Sequence, residues 1–339
     1  MRGAGVFGLA IAYACALRGA RVQVIDPAGI AAGASGGVVG ALAPHVPEAW
    51  NDKKAFQLDS LLMAPVFWAG AESISGQSTG YGRTGRLQPV PEGGMDLAQA
   101  RAASAAVLWR GQAEWRLVRA AAGWGPPTPT GWLVQDTLSA RINPVAACGA
   151  LAAAVRALGG RILAEGPPRG AEIWATGVAG LADLSASFAQ PVGCAEKGQA
   201  LLLQMNLPEE PQILIEGIHI VPQADGTTAV GSTSERAFEG TGVDAALEAL
   251  LARAVAMVPA LAGACVTRRW AGLRPRAASR APILGHWPGR PGVYVANGGF
   301  KIGFGIAPKV AEVMADLVLE GRDGIPAGFG LHDCLRTAN

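Results

Sequence analysis

The chain has 339 residues, which is long enough to bury a large core as one compound domain or as two. Its 28 Lys and Arg residues against 26 Asp and Glu residues leave a net charge of +2, far from the basic balance of a nucleic-acid-binding protein. Hydrophobic residues make up 50% of the chain, yet the uncharged stretch 27–47 is broken by five glycines and Pro44, and so predicts a loop rather than a membrane span.

The five cysteines are scattered along the chain without a CxxC pair, and the histidines show no ligand spacing. A disulfide framework would need paired cysteines, and a zinc site would need clustered ligands. The pattern therefore predicts reduced thiols in a soluble, cytoplasmic protein that has no metal site.

The most informative pattern stands at the start of the chain. Gly3, Gly5 and Gly8 form a GxGxxG motif that opens an apolar helix, and residues 22–25 then predict a buried strand that ends in Asp26. Gly3 allows a tight turn, Gly5 lets the backbone approach a pyrophosphate, and Gly8 lets the helix pack closely on a sheet. The helix N-terminus attracts phosphate, and Asp26 can accept hydrogen bonds from the hydroxyls of an adenosine ribose. The segment predicts a dinucleotide site.

A motif of this kind ordinarily follows a strand of about five residues. Only Met1 and Arg2 precede Gly3 here. Either the natural start lies upstream, which we favour, or the first strand is missing. A secretory leader is the other interpretation of an apolar run after Met1 and Arg2, but the glycine spacing and the strand before Asp26 disfavour it.

Helical and strand patterns alternate along the rest of the chain. Asn143 and Pro144 predict the N-terminus of a helix, and Asp225-Gly226 predicts a turn between two strands. Predicted helices span 53–73, 96–108, 144–158, 244–257 and 303–319; predicted strands span 85–90, 131–134, 161–163, 171–177 (running into a glycine turn), 198–204, 212–216, 218–222, 227–232, 265–273, 281–285 and 293–297.

This order predicts an α/β fold in which a nucleotide-binding domain is built from non-contiguous pieces and a mostly antiparallel substrate domain is inserted into it. We assign residues 1–80, 140–197 and 268–339 to the nucleotide-binding domain. Residues 81–139 and 198–267 form the substrate domain. Trp132 and Trp270 are expected in the core.

Several segments, occurring in the same order, resemble the D-amino acid oxidase/glycine oxidase superfamily of flavoproteins, with glycine oxidase the most similar branch. They are 33–44 (GASGGVVGALAP), 174–177 (WATG), 198–199 (GQ), 220–222 (IVP), 230–233 (VGST), 271–275 (AGLRP), 281–285 (APILG) and 293–299 (VYVANGG). The resemblance covers essentially the whole chain. It implies a Rossmann-like FAD-binding domain of the glutathione reductase type. It also implies non-covalent FAD, because Arg276 stands where some relatives carry an attachment cysteine.

The resemblance also implies a set of cofactor contacts, in which glycine-rich backbone approaches the pyrophosphate or the flavin ring. The loop after Gly298 feeds a helix whose N-terminus can stabilise negative charge on a reduced flavin. The expected contacts are Gly3, Gly5, Val6, Phe7, Gly8, Asp26, Ala34, Ser35, Gly40, Ala41, Leu42, Thr176, Gly177, Gly298, Gly299, Phe300, Lys301, Ile302 and Gly303.

Arg274 is the expected carboxylate clamp, because a planar guanidinium matches a carboxylate bidentately and the residue falls on the family's Leu-Arg-Pro position. Lys301 stands where glycine oxidases tend to carry Arg, so it either alters substrate choice or is a simple loop cation. The implied reaction is hydride transfer from a small amino acid or amine to the flavin, followed by hydrolysis of the imine. Glycine, sarcosine and small D-amino acids are the expected substrates, O2 is the expected acceptor with hydrogen peroxide as product, and the imine of glycine suits thiamine biosynthesis.

Other readings stay open. The acceptor can be a quinone or a carrier instead of O2, and the chain can form a homo-oligomer. A tRNA-modifying oxidase acting on carboxymethylaminomethyl-uridine has a similar 33–44 loop, and Arg268, Arg269, Arg274, Arg276 and Arg280 form a small basic cluster; the near-neutral charge disfavours nucleic acid. A non-catalytic flavoprotein is the third reading.

Overall fold

The computed structural model describes residues 1–336 as eight helices and fifteen strands. The helices are α1 (Val6–Leu17), α2 (Asp52–Ser75), α3 (Met95–Leu108), α4 (Pro144–Ala157), α5 (Gly177–Ser187), α6 (Ala245–Met257), α7 (Gly303–Glu320) and α8 (Leu331–Arg336). The strands are β1 (Gln23–Ile25), β2 (Ala41–Leu42), β3 (Arg86–Pro89), β4 (Trp115–Arg119), β5 (Trp132–Asp136), β6 (Ala140–Arg141), β7 (Arg161–Leu163), β8 (Glu172–Trp174), β9 (Gly193–Gln204), β10 (Gln212–Ile215), β11 (Ile218–Pro222), β12 (Thr227–Gly231), β13 (Val266–Ala277), β14 (Ile283–His286) and β15 (Val293–Asn297).

A small, mostly parallel sheet carries the glycine motif. β7 pairs in parallel with β1, β15 pairs in parallel with β8, and β14 adds an antiparallel edge. Arg2 lies between the two halves and forms parallel bridges to Ile25 and to Trp174. Its amide donates to Ile173 O at 2.8 Å, and its carbonyl accepts from Ala175 N at 2.8 Å. The place of the expected first strand is therefore occupied, with Arg2 alone forming ladder bridges.

A large, mainly antiparallel sheet forms the second layer. Its strand order is β13-β9-β12-β11-β10-β3-β5-β4, and only the β10–β3 pair is parallel. Helix α6 packs against one face of this sheet, where Leu247 and Leu250 join Leu201, Leu203 and other side chains in a separate apolar core. The α/β class with a mostly antiparallel second sheet agrees with the expectation from sequence.

Strands β9 and β13 connect the two layers. They pair from Leu203–Val266 at one end to Gly193–Ala277 at the other. Leu203 belongs to the core under the large sheet, whereas Ala277 belongs to a core with α5 and the edge of the small sheet. The domain boundaries expected at 197/198 and 267/268 thus fall inside two long, continuous strands.

The helix ends follow the local signals in the sequence. The Asn143 side chain accepts a hydrogen bond from Ala146 N at 3.1 Å, and Pro144 begins α4, as predicted. Asn51 caps α2 in the same way, and α2 ends at Gly76 in a left-handed conformation with φ +67°.

Close packing explains the first and third glycines of the motif. Gly3 has φ +99°, and a Cβ there would stand 2.3 Å from Ala175 O. A Cβ on Gly8 would stand 2.0 Å from Gly3 O. Helix α1 can therefore lie directly against the turn and against β8 only because both positions lack side chains.

Three sequence predictions need correction. Residue 177 begins helix α5, where the sequence predicted only a glycine turn. Strands β2, β4 and β6 and helix α8 were not predicted; of these, β4 forms the edge of the large sheet next to β5. Trp270 is only half-buried and lies outside the apolar cores, whereas we expected it in the core.

No helix within residues 1–336 is both long enough and apolar enough to span a bilayer.

A buried ion pair fixes the register of β3 and β5, and it yields a prediction. Arg86 Nε donates to Asp136 Oδ2 at 2.9 Å, and the two side chains are 4% and 0% exposed. Replacing Asp136→Ala leaves a buried guanidinium without its counter-ion, so we expect the free energy of unfolding to fall by about 3–5 kcal/mol. Urea denaturation measures this loss.

The matched control is Glu114→Ala, which removes the exposed pair between Glu114 and Arg116 beside the same sheet edge. Exposed pairs contribute little, so the control should change the free energy of unfolding by less than about 1 kcal/mol. Equal effects of the two substitutions would contradict a special role for the buried pair.

Candidate functional site

A cleft of about 870 Å³ runs between the small sheet and the large one. One end is formed by the glycine motif, the strand end at Asp26 and the 3-10 turn Ala34–Gly36. The other end is formed by residues of β9, β11 and β13. The cleft therefore joins the predicted nucleotide motif to the predicted substrate sheet.

Three helix N-termini line this cleft without side-chain caps. The N-cap residues of α1, α5 and α7 are Gly5, Thr176 and Ile302, none of which caps through its side chain. None of these helices has an acidic residue in its first turn. By contrast, α2, α4 and α6 are each capped by an Asn or Asp side chain. The positive ends of the helix dipoles converge here with N–H groups that have no cap from their own N-cap residue, which favours an anionic ligand. In α1 the first N–H, that of Val6, is bonded to Ser35 Oγ.

The glycine motif is held in place by two side chains. Ser35 Oγ accepts a hydrogen bond from Val6 N at 3.0 Å. Asp26 Oδ2 accepts from Ala4 N at 2.8 Å, and its Oδ1 accepts from Ala28 N at 3.0 Å. A carboxylate has about four acceptor sites, so Asp26 can still accept from two hydroxyls of a ribose in the cleft.

The structure brings most of the predicted site residues together. The ones that line the cleft are Gly3, Gly5, Val6, Phe7, Asp26, Ala34, Ser35, Gly40, Ala41, Thr176, Gly177, Arg274, Gly298, Gly299, Phe300, Lys301 and Gly303. Gly8, Leu42 and Ile302 are not among the lining residues. Gly8 serves helix packing, Leu42 is fully buried, and Ile302 precedes α7.

Arg274 is held rigidly in the wall of the cleft. Its side chain is 8% exposed, and it donates from Nη1 to Thr233 O at 3.1 Å and from Nη2 to Ser232 Oγ at 2.6 Å. A Cβ at Gly198 would lie 1.9 Å from Arg274 Nη1, so the guanidinium occupies space that only a glycine on β9 leaves open. Burial lowers the pKa of Arg274, and the carboxylates of Glu196 and Glu235 oppose that shift.

A row of residues across four strands forms the floor beside Arg274. Trp270 on β13 pairs with Ala200 on β9, Ala200 pairs with Gly231 on β12, and Gly231 pairs with His219 on β11. The two rings stand at the ends of the row, and the two smallest residues lie between them. Paired residues of neighbouring strands share one face of a sheet, so the row forms a floor between two aromatic walls. The floor is open at Ala200, which lines the cleft, and is covered at Gly231, where a Cβ would stand 2.8 Å from Val39 Cγ2.

Sequence analysis missed both His219 and Trp270 as site residues. His219 lies between Ile218 and Ile220, which point into the core under α6. Because side chains alternate across a strand, this spacing could have placed His219 on the opposite face. Burial lowers the pKa of His219 to about 4, helped by the charges of Arg86 and Lys301, so its imidazole is neutral near pH 7.

Glu196 is a third residue that sequence analysis missed. Its side chain is 5% exposed, and it lies opposite Arg274 in the β9–β13 ladder. Ser234 Oγ donates a hydrogen bond to Glu196 Oε1, and Lys301 Nζ lies 3.9 Å from the same oxygen. The predicted cation Lys301 thus has a carboxylate partner within the site.

Comparison with known proteins supports one family. The model of the family described as "DAO: FAD dependent oxidoreductase" matches residues 3–317. Glycine oxidase of Pseudomonas putida is 37% identical over 124 residues, which cover 36% of this chain and 34% of that protein. The bifunctional protein ThiO/ThiG of Trichormus variabilis is 29% identical over 352 residues, which cover 94% of this chain and 52% of that protein. The matches span about a third of the first relative and about half of the second.

Solved structures give the same fold. Glycine oxidase from Geobacillus kaustophilus superposes with a TM-score of 0.80 at 22% identity, covering 97% of this chain and 96% of that one. Iminodiacetate oxidase from Chelativorans sp. BNC1 superposes with a TM-score of 0.84 at 19% identity, covering 97% of each chain. The family match spans nearly the whole length of the chain, and the cleft, with its glycine motif and uncapped helices, lies inside it. The chain therefore belongs to the DAO family of FAD-dependent oxidoreductases.

Proposed function

We propose that the protein oxidises the carbon–nitrogen bond of a small amino acid, such as glycine, sarcosine or a D-amino acid, and that the product imine is hydrolysed. The observation that carries the proposal is Arg274, a buried guanidinium held beside an open floor in the same cleft as the nucleotide motif. A planar guanidinium binds a carboxylate bidentately, so the cleft suits a substrate that has a carboxylate next to the reacting carbon.

The residues present fit a non-covalently bound FAD. Three uncapped helix N-termini converge on the cleft, and only the Ser35 side chain comes within 4 Å of a Cβ placed on Gly5. Such a cradle accepts a pyrophosphate at close range. Arg276, which is not a nucleophile, occupies the family's attachment position.

When bound, FAD supplies a two-electron acceptor for the hydride that leaves the α-carbon, and O2 then takes up the electrons to give hydrogen peroxide. The chain's own residues bind and orient the substrate. Arg274 holds the carboxylate, and the small side chain of Ala200, which lines the cleft on the neighbouring strand, leaves room for the amine and the α-carbon. His219 is neutral near pH 7, so it can accept a hydrogen bond from the amine without repelling it.

The relatives give a context for the product. Two groups of them are named glycine oxidase and bifunctional ThiO/ThiG. The imine of glycine is a fitting precursor for the thiazole of thiamine, and we propose this use for the reaction. Nucleic acid is a weaker alternative, because the basic cluster is dispersed: Arg274 is buried in the cleft, whereas Arg269 pairs with Glu248 at 2.9 Å on the surface.

The direct test is anaerobic mixing of the purified yellow protein with glycine, sarcosine, D-alanine and D-proline in turn. Loss of the visible flavin absorption with one of them identifies an amino acid oxidase or dehydrogenase. If neither these four nor an N-carboxymethyl amino acid reduces the flavin, the proposal is wrong. Readmission of O2 and assay of hydrogen peroxide then identify the acceptor.

Three predictions test the proposed function, and the first concerns Arg274 as the carboxylate clamp. Arg274→Ala should raise KM by about a hundredfold, because a bidentate charged pair with the carboxylate is lost, while FAD stays bound. Arg274→Lys keeps the charge but loses the planar guanidinium, so its KM should lie between those of the wild type and Arg274→Ala. Steady-state kinetics measures both variants. Arg269→Ala, on the same strand but in the surface pair, is the control and should leave KM unchanged; unchanged kinetics in Arg274→Ala would remove the residue from this role.

The second prediction concerns the cofactor. A Cβ at Gly5 would meet only Ser35 Oγ, at 3.1 Å, so Gly5→Val should fold but project methyl groups toward the pyrophosphate. We expect FAD affinity to fall at least about tenfold, measured by fluorescence titration of the apoprotein. Gly149→Ala, inside α4 and in ordinary contact with Gln77, is the control. A normal FAD content in Gly5→Val would contradict the assignment of this glycine.

The third prediction concerns pH. Burial holds the pKa of His219 at about 4, so this group is already neutral above about pH 5 and adds no later step. Because hydride leaves the neutral amine, kcat/KM should rise with pH toward the pKa of the substrate amine. His219→Gln should keep this rising limb. A wild-type plateau that starts near pH 5 and disappears in His219→Gln would show instead that His219 acts as the base.

A further inference from the structure

The substrate end of the cleft holds more positive charge than one carboxylate needs. Arg274 and Arg276 are two residues apart on β13, so they share one face about 7 Å apart along the strand. Glu196 lies on that face as the partner of Arg274. Lys301 brings a third cation to the same carboxylate. Three cations against one carboxylate leave a charge of +2 in this group.

The Glu196 carboxylate makes only long contacts with the cations around it. Glu196 lies 3.8 Å from Arg276 Nη1 and 3.9 Å from Lys301 Nζ, which is too long for a hydrogen bond. The exposed Arg236 is also near, at 3.7 Å. Within residues 1–336, the one hydrogen bond to the Glu196 side chain comes from Ser234. The ammonium of Lys301, which lines the cleft, is therefore available to another anion.

Glu235, the other carboxylate near Arg274, belongs to a second group of charges. It lies 3.6 Å from Lys197 Nζ and accepts hydrogen bonds from Thr233 and Gln199. Lys197 also pairs with Asp244. This second group of two carboxylates and one buried ammonium has a charge of −1, so the two groups together keep a charge of +1.

The loop that carries Lys301 is docked on the strand between the two arginines. Phe300 N donates to Pro275 O at 3.1 Å. The Arg276 guanidinium lies 5.7 Å from the centre of the Phe300 ring, and Lys301 Nζ lies 5.3 Å from it. Lys301 lines the cleft and its side chain is 45% exposed, so its ammonium can reach a ligand. Burial and the charges of Arg274 and Arg276 lower the pKa of Lys301, and the carboxylate of Glu196 opposes that shift.

We propose that the substrate is an amine with two carboxylates, of the class of N-carboxymethyl amino acids such as iminodiacetate. This inference rests on the proposed function. Arg274 binds the carboxylate next to the reacting carbon, and Lys301 binds the second. Arg276 does not line the cleft, and it adds positive charge beside the Phe300 ring that Lys301 also contacts. The α-carbon loses a hydride to FAD and the nitrogen loses a proton. Water then adds to the carbon–nitrogen double bond, and iminodiacetate is split into glyoxylate and glycine.

The alternative role for Lys301 is to serve the cofactor or the reaction with O2. In that case its charge acts equally on substrates with one carboxylate and substrates with two. A comparison of matched ligands therefore separates the two roles.

The test uses the FAD-loaded protein and two ligands that cannot be oxidised as amines. Diglycolate has the shape of iminodiacetate with an ether oxygen in place of nitrogen, and methoxyacetate lacks its second carboxylate. Titration of the visible flavin spectrum gives both dissociation constants. We expect diglycolate to bind at least about tenfold more tightly, the effect of one charged hydrogen bond. Lys301→Met should abolish this advantage and leave methoxyacetate binding unchanged.

Lys309→Met is the control. It removes the same charge from the protein, but at a residue that pairs with Glu312 on the surface of α7. It should keep the preference for diglycolate. Equal dissociation constants of the two ligands in the wild type, or equal losses for both in Lys301→Met, would overturn the proposal. Turnover is scored separately: if sarcosine is oxidised as efficiently as iminodiacetate, the dicarboxylate inference fails and the proposed function stands, whereas reduction by neither amine contradicts the proposed function.

Discussion

The pairing of β9 with β13 is the constraint on which the rest of the structure depends. The ladder runs from the core under the large sheet to the core beside α5, so it joins both layers without a linker. On one face, the ladder sets Trp270, Gly272 and Arg274 opposite Ala200, Gly198 and Glu196. A slip of β13 by one residue would turn the side chains of Trp270 and Arg274 to the opposite face of the sheet. The register of the β9–β13 pair therefore also determines which side chains belong to the site.

Both ends of the cleft attract negative charge, but by different means. At the nucleotide end the attraction comes from backbone N–H groups of three helices that lack side-chain caps. At the substrate end it comes from side-chain cations around one shared carboxylate. Leaving helix termini uncapped costs about 1 kcal/mol each in the absence of a ligand. Bound phosphates offset this cost, so the cofactor should stabilise the fold as well as supply the chemistry.

The nucleotide end of the site was predictable from sequence, because its signals are local. The spacing of Gly3, Gly5 and Gly8 requires only a turn, a helix and a strand, and the structure contains all three. His219 and Trp270 could not be found in this way. They come together only through pairing across four strands, and this depends on register between segments far apart in the chain. Helix α5 was missed because Gly177 is a helix breaker by propensity, yet it is tolerated at the first position of a helix.

The floor between the two aromatic walls also determines how the site can change. A Cβ on Gly231 would stand 2.7 Å from Ala200 Cβ and 2.8 Å from Val39 Cγ2, so this position is closed to every other residue. Ala200 already carries a Cβ on the same row and faces the cleft. Substitution at Ala200 can therefore change the depth of the cleft under the substrate, whereas substitution at Gly231 cannot. In proteins with this floor, a change toward bulkier or smaller amines is therefore expected to involve substitution at Ala200. A library of variants at that single position would sample the sizes of amine that the floor can accept.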